Sequence, residues 1–337
     1  MKESNQHMNR PKHIVEYLAL RGFGSLVNRI PHRLALIVGW GTAFLIHHMF
    51  RFRVSIARQR IREVFLDRFS EKEIRKVAWI SWRNTCLNAV DLLRMPSLSL
   101  EQIQQHIDGM HEVDTIRSVC DEGNGVVLAV PHSGCWDMAG VLCDLKGLPI
   151  FFIARRQKNP LTDDFINRMR GTSGIETVLN DSRMLRGVIR KLKEGKVLAM
   201  LPDVRSRTPS LSIEFLGGSA NLGAGMAMFS RLTGAPILPA GLIREGWSHH
   251  RWKTFDPIRP DKSLDKKADW QRMTQKVLSL FNQFIREHPE NYFWYSKRWV
   301  LDPLDPAQTA SSLKMDTKPD ERPDTIPQEE FREADAH

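Results

Sequence analysis

The sequence predicts an α/β fold: a mostly parallel central sheet flanked by helices, preceded by a helical, membrane-associating N-terminal segment. Two observations carry the sheet. After Gly123, short apolar runs rich in β-branched residues recur at 125–130 (GVVLAV), 148–154 (LPIFFIA), 196–201 (KVLAML) and 235–243 (APILPAGLI). Helical patterns fill the gaps between them, and strands alternating with helices build parallel sheets covered on both faces. A third observation sets the N-terminus apart: residues 34–50 (LALIVGWGTAFLIHHMF) form an apolar run between Arg29, Arg33, Arg51 and Arg53.

Taken in order, residues 14–28 place Ile14, Tyr17, Leu18 and Val27 at helical spacing. Pro31 then punctuates. The run that follows is shorter than the ~20 apolar residues a bilayer span needs. Trp40 and the flanking arginines suit a headgroup boundary, so the run reads as an embedded or interfacial helix. Residues 53–66 mix apolar and basic side chains. Ser70 with Glu73 forms a cap signature for a helix running to about Leu93. Residues 98–120 read as a further helix and a short polar connection. Between the four strands, helices are expected over 136–145, 161–169, 182–193 and 224–232, and a last one over 270–288 leads into YFWYSKRW at 292–299. The domain reading is a membrane-associating segment over 1–70, a main domain over 71–303, and an acidic tail over 304–337 too polar to fold.

The 337 residues carry a net charge of +10. Residues 302–337 hold ten acidic and four basic residues, a net of −6, which leaves +16 on 1–301. Such a balance favours anionic partners. Nucleic acid is one class, but no helix-turn-helix, zinc-finger or RNP-type string is present. The basic residues gather around the apolar N-terminal run, which favours an anionic membrane surface. Residues 1–13 are polar and lead into no cleavable signal. Cys86, Cys120, Cys135 and Cys143 show no metal spacing and read as reduced thiols facing the cytosol.

Topology points to the chemistry. Right-handed crossovers align strand C-terminal ends on one edge, where ligands bind. His132 follows the first strand, Arg155 and Arg156 the second, Asp203 the third. The string Pro131-His132-Ser133-Gly134-Cys135-Trp136-Asp137 places a carboxylate five residues after the histidine. A turn into a helix at Gly134 would return Asp137 to the ring, fix its tautomer and leave the other nitrogen free to take a proton. His132 at a strand end is otherwise an ordinary structural histidine, Asp203 a turn cap, and Arg155 or Arg156 a solvated basic edge. Gly217, Gly218 and Gly223 are either turn residues or places where backbone approaches a phosphate. His249 and His250 read as part of a polar loop with no metal role, and Trp294, Tyr295, Arg298 and Trp299 as packing.

PHSGCWDMAG at 131–140 closely resembles the signature of the lysophospholipid acyltransferase superfamily, in particular its lipid A late-acyltransferase branch. The resemblance runs over residues 14–303. It takes in Arg155 in ARRQKNP, Pro202-Asp203, FLGG at 215–218 with Asn221 and Gly223, TGAPILPA at 233–240, and the closing HPENYFWYSKRW. It implies His132 as general base, Asp137 orienting it, and Arg155 and Asp203 lining the site. Ser133, Gly134, Arg156, Gly217, Gly218, Asn221 and Gly223 are the expected substrate contacts. The implied reaction is direct acyl transfer from an acyl carrier protein or coenzyme A thioester to a glycolipid hydroxyl such as that of a lipid A precursor. It needs no cofactor or metal and occurs on the cytosolic face of the inner membrane. Arg155, or backbone N–H groups over 219–223, would hold the oxyanion. Asp137 stands where that branch usually has Glu, and Val204 where it has Gln; the H-S-G-x-W-D form is similar to the phosphatidylinositol mannoside acyltransferases of the same family. Rival readings are a lysophospholipid acceptor, and a hydrolase using Cys135 or Ser133, although no G-x-S-x-G elbow is present.

Overall fold

The computed structural model describes residues 10–94, 100–154, 159–171, 176–179, 184–206 and 210–301. Nine strands are found there: β1 (Ile107–Asp108), β2 (Val126–Ala129), β3 (Ile150–Ala154), β4 (Glu176–Leu179), β5 (Val197–Met200), β6 (Leu211–Phe215), β7 (Gly218–Leu222), β8 (Ile237–Glu245) and β9 (His249–Thr254). The helices are α1 (Pro11–Arg29), α2 (His32–Phe44), α3 (Val54–Phe65), α4 (Glu71–Arg94), α5 (Leu100–Gln104), α6 (Asp114–Cys120), α7 (Trp136–Leu145), α8 (Pro160–Gly171), α9 (Met184–Lys193), α10 (Gly225–Thr233) and α11 (Lys266–Glu287).

Seven strands form one sheet in the order β1-β9-β8-β2-β5-β3-β4. All its pairings are parallel except β8 with β9. The fold is therefore the expected α/β architecture. Its central strand shows why a continuous apolar run was needed. Val127 and Ala129 of β2 enter one core cluster, while Val126, Leu128 and Val130 enter the cluster on the opposite face. With a side-chain period of two, a strand buried on both faces cannot alternate with polar residues.

β8 extends the expected run to Glu245, and β9 folds back on it. This corrects the loop reading of His249 and His250, which lie on β9, with His250 buried. β6 and β7 form a separate antiparallel hairpin. The helix expected from Trp270 begins at Lys266, because the Asp265 side chain caps it by accepting from the backbone N–H groups of Lys267 and Ala268. The Ser70–Glu73 cap forms as its spacing implies, with the Ser70 N–H donating to Glu73 at 2.7 Å.

At the N-terminus, α2 uses small residues to lie close against α4. A Cβ at Gly39 would come within 2.9 Å of Val90, and Ala35 and Leu36 pack against Leu87 and Val90. The run then breaks into a π-helical turn, Leu45–Met49, before α3. Among the described residues, no single helix is long and apolar enough to cross a membrane; the pair His32–Met49 and Val54–Phe65 is bent by 87°. The tail at 304–337, Arg155 and Arg156 lie outside the described residues.

Candidate active site

The register of two neighbouring strands builds the centre of the site. β2 and β5 pair in parallel, with Ala129 opposite Met200. His132 and Asp203 each lie three residues beyond that pair, and a proline precedes each of them: Pro131 and Pro202. Equal exits from adjacent strands bring the two side chains together at the C-terminal edge of the sheet, where ligands of open α/β folds bind.

The contact is a two-point clamp. Asp203 Oδ1 lies 2.7 Å from His132 Nδ1, and Asp203 Oδ2 accepts the His132 backbone N–H at 2.8 Å. The Tyr292 hydroxyl, also buried, donates to the same carboxylate. An ionised carboxylate at Nδ1 holds the tautomer in which Nδ1 carries the proton, so Nε2 keeps its lone pair. The imidazole is 24% exposed and the Asp203 side chain 0%, so the acid is sealed while the ring reaches the surface. Burial opposes the imidazolium, but the charge and hydrogen bond of Asp203, with the charge of Asp137, outweigh it and raise the His132 pKa above its ordinary 6.5. Arg298 works in the opposite direction.

Three layers fix this turn. Gly134 is left-handed at φ +59°, and a Cβ there would collide with the Leu242 carbonyl on β8, so only glycine fits. The segment following α11 runs alongside: the Phe293 N–H donates to the His132 carbonyl at 2.9 Å, and the Gly134 N–H donates to the Asn291 carbonyl at 2.9 Å. Beneath lies a buried polar chain. The Asn88 amide donates to the Gly134 carbonyl at 2.9 Å and accepts from Arg244 Nε at 2.6 Å. Arg244 also pairs with Asp91, which accepts from His250 Nε2 at 3.0 Å and His32 Nε2 at 2.8 Å. Burial raises the Asp91 pKa, but these partners dominate and hold the carboxyl well below the usual carboxylate range.

The expected residues distribute unevenly. Asp203, expected only to line the site, occupies the place expected of Asp137. Asp137 lies in the first turn of α7 and acts on the ring through its charge. The reason is directional: α7 starts at Trp136, and the Trp136 ring lies 5.2 Å from the imidazole. Ser133 is wholly buried, with no hydrogen-bond partner for its Oγ. The Cys135 thiol is buried against the Asn88 carbonyl, and burial pushes its pKa far up, which leaves little thiolate for a nucleophilic role.

Asn221 and Gly223 do stand beside the Asp203 loop: the Ser206 N–H donates to the Asn221 carbonyl, and a Cβ at Gly223 would lie 3.3 Å from Ser206 Oγ. Gly217 and Gly218 are at the opposite end of the β6–β7 hairpin, against Arg286 and Leu301, roughly 13 Å away along the strand. Among the described residues, no group of three His, Cys, Asp or Glu side chains is placed to hold a metal. Tyr292, Trp136, Asn88, Asp91 and Arg244 escaped sequence reasoning as site residues. The signal that finds them is burial of polar side chains around a strand-end turn, visible only once the strand order is known.

Comparison with known proteins places the chain in a family. The family described as bacterial lipid A biosynthesis acyltransferase matches residues 1–300. A phosphatidylinositol mannoside acyltransferase of Mycolicibacterium smegmatis is 23% identical over 63% of this chain and 68% of its own length. One from Mycobacterium tuberculosis is 24% identical over 63% of this chain and 66% of its own. A lipid A biosynthesis acyltransferase of Haemophilus influenzae is 24% identical over 51% of this chain and 53% of its own. With the family pattern covering nearly every described residue, the chain belongs to the bacterial lipid A biosynthesis acyltransferase family, whose reaction is O-acyl transfer.

Proposed function

We propose that this protein transfers a fatty acyl chain from an acyl thioester, on acyl carrier protein or coenzyme A, to a hydroxyl of a glycolipid. The carrying observation is the clamp that gives His132 a protonated Nδ1, a free Nε2 and a raised pKa. His132 Nε2 takes the acceptor's hydroxyl proton as the oxygen attacks the thioester carbonyl. Asp203 stabilises the resulting imidazolium without taking its proton. The tetrahedral oxyanion collapses, the C–S bond breaks, and the leaving thiolate recovers the proton from His132. Arg155, or backbone N–H groups near Asn221 and Gly223, would hold the oxyanion. No covalent acyl-enzyme is needed.

Two acceptor classes are in play. A lipid A precursor fits the family description, while the mycobacterial relatives and Asp137 favour a phosphoinositol mannoside-type glycolipid. The protein works at the cytosolic face of the inner membrane in this reading. Its support is an exposed apolar row on α2 and the following turn: Leu34, Ile37, Trp40, Phe44, Leu45, Met49 and Phe50. An exposed row of this kind beside arginines marks a membrane-contacting surface.

The test is acyl transfer by purified protein with each thioester and each acceptor, read by lipid mass spectrometry. Ester formation that is lost in His132→Ala and kept within about two-fold in Cys135→Ala supports the reading. A trapped acyl-cysteine, or full activity without His132, overturns it.

A further inference from the structure

The break between α2 and α3 gathers buried polar atoms that have nothing to bond. His47, in the π-helical turn, is 2% exposed, and neither of its ring nitrogens has a partner. Arg58 Nε on α3 and Trp82 Nε1 on α4 are likewise buried and unpartnered. All three lie where the π-helical turn, α3 and α4 meet. The His47 ring lies 5.4 Å from Trp79, one turn before Trp82 on α4. The charge of Arg58 reaches both His47 and Tyr295, and Tyr295 packs 4.2 Å from the Trp82 ring. Polar groups left dry in this way are costly, and each calls for an explanation, a bound ion or water among them. π-bulges recur at functional sites.

The chemistry of the set is one-sided. Arg58 supplies charge and N–H donors, the Trp82 indole N–H donates only, and His47 supplies one further N–H. Burial, His48 and Arg58 lower the His47 pKa to about 4, so the ring is neutral at physiological pH. Nearby Glu71 is committed to Arg62 at 2.7 Å, and Arg51, Arg53 and Arg75 add positive charge. Around the cluster stand exposed Phe44, Met49, Phe50 and Phe52.

We propose that His47, Arg58 and Trp82 form a binding site for the phosphate of an anionic phospholipid headgroup, with the surrounding aromatic and apolar side chains lying among its acyl chains. The proposal rests on the membrane-contact reading above. It gives the apolar row a specific lipid anchor in addition to general adhesion.

Flotation of the full-length protein with vesicles tests it, using phosphatidylcholine alone and phosphatidylcholine mixed with phosphatidylglycerol. Wild type should prefer the anionic vesicles. Arg58→Gln should lose about ten-fold or more of that preference, the scale of hydrogen bonds to a charged group, and Trp82→Phe several-fold. Exposed Arg51→Gln should lose less. Should Arg58→Gln fail to fold, wild type supplies the reading: soluble dihexanoylphosphatidylglycerol should change indole fluorescence saturably and shift the His47 ring nitrogens, and dihexanoylphosphatidylcholine should not. Equal losses in Arg51→Gln and Arg58→Gln, or unmoved His47 resonances, would overturn the site in favour of diffuse attraction or buried water. A raised KM for the acceptor with unchanged vesicle affinity would overturn it too, by assigning the cluster to the acceptor. Binding to neither vesicle removes the membrane reading as well; equal binding to both removes the headgroup site alone.

Discussion

His132 and His47 are both largely buried imidazoles near apolar helices, and they differ in what faces them. At the strand-end turn, Asp203 meets His132 with both carboxylate oxygens, and the proton is held more tightly than in water. At the helix break, His47 faces His48 and Arg58 while nearby Glu71 is paired with Arg62, and its pKa falls to about 4. The desolvation cost is shared. Between these two rings, the charge placed beside each separates a raised pKa from a lowered one.

Removing the partner at the turn should break the contrast most severely. His132→Ala should lower turnover by ~10²–10⁴ with the fold intact. Asp203→Asn should approach that loss, because an amide supports the wrong tautomer and cannot stabilise the cation. Steady-state kinetics with circular dichroism checks both.

The pH profile sharpens the same point. The base is active when neutral, and its pKa is raised, so kcat/KM should climb with pH through a limb above 6.5 and level off beyond it. In Asp203→Asn that limb should move to lower pH, even as the plateau falls.

Smaller effects should follow from the outer partners. Tyr292→Phe removes one of three donors to Asp203 and should cost about 3–10-fold in kcat, the scale of one hydrogen bond. Asp137→Asn should lower the limb slightly and cost less than Asp203→Asn, since Asp203 bonds the ring directly and Asp137 acts on it through its charge. A reversed ranking would return the orienting role to Asp137.

At the helix break, the sign reverses. The unfolded chain protonates His47 near 6.5 while the folded chain resists until about 4. Stability should therefore fall as pH drops through that window and flatten below it. His47→Phe should weaken this acid sensitivity, read as Tm against pH.

Much of this is legible in the amino-acid sequence. The four apolar runs became β2, β3, β5 and β8, because strands buried on both faces must be continuously apolar. His132 and Asp203 were recognisable as strand-end residues by the same logic. Their pairing was not, because it depends on β5 lying next to β2, a fact of strand order that local patterns do not encode. Short or polar strands were missed for a related reason. β1 has two residues, and β9 alternates exposed His249, Arg251 and Lys253 with buried His250 and Trp252, which mimics a polar loop. The Asn88–Asp91–Arg244 chain joins residues more than 150 positions apart and leaves no short-range trace.

The segment at 291–293 that grips the His132 turn lies about 90 residues after Asp203. Synthesis runs from the N-terminus at ~5–20 residues per second, so roughly 5–20 s separates the emergence of Asp203 from that of its last support. During that interval the nascent chain already exposes its apolar N-terminal surface but has no braced histidine. On the function proposed above, delivery to the lipid surface can thus precede chemical competence.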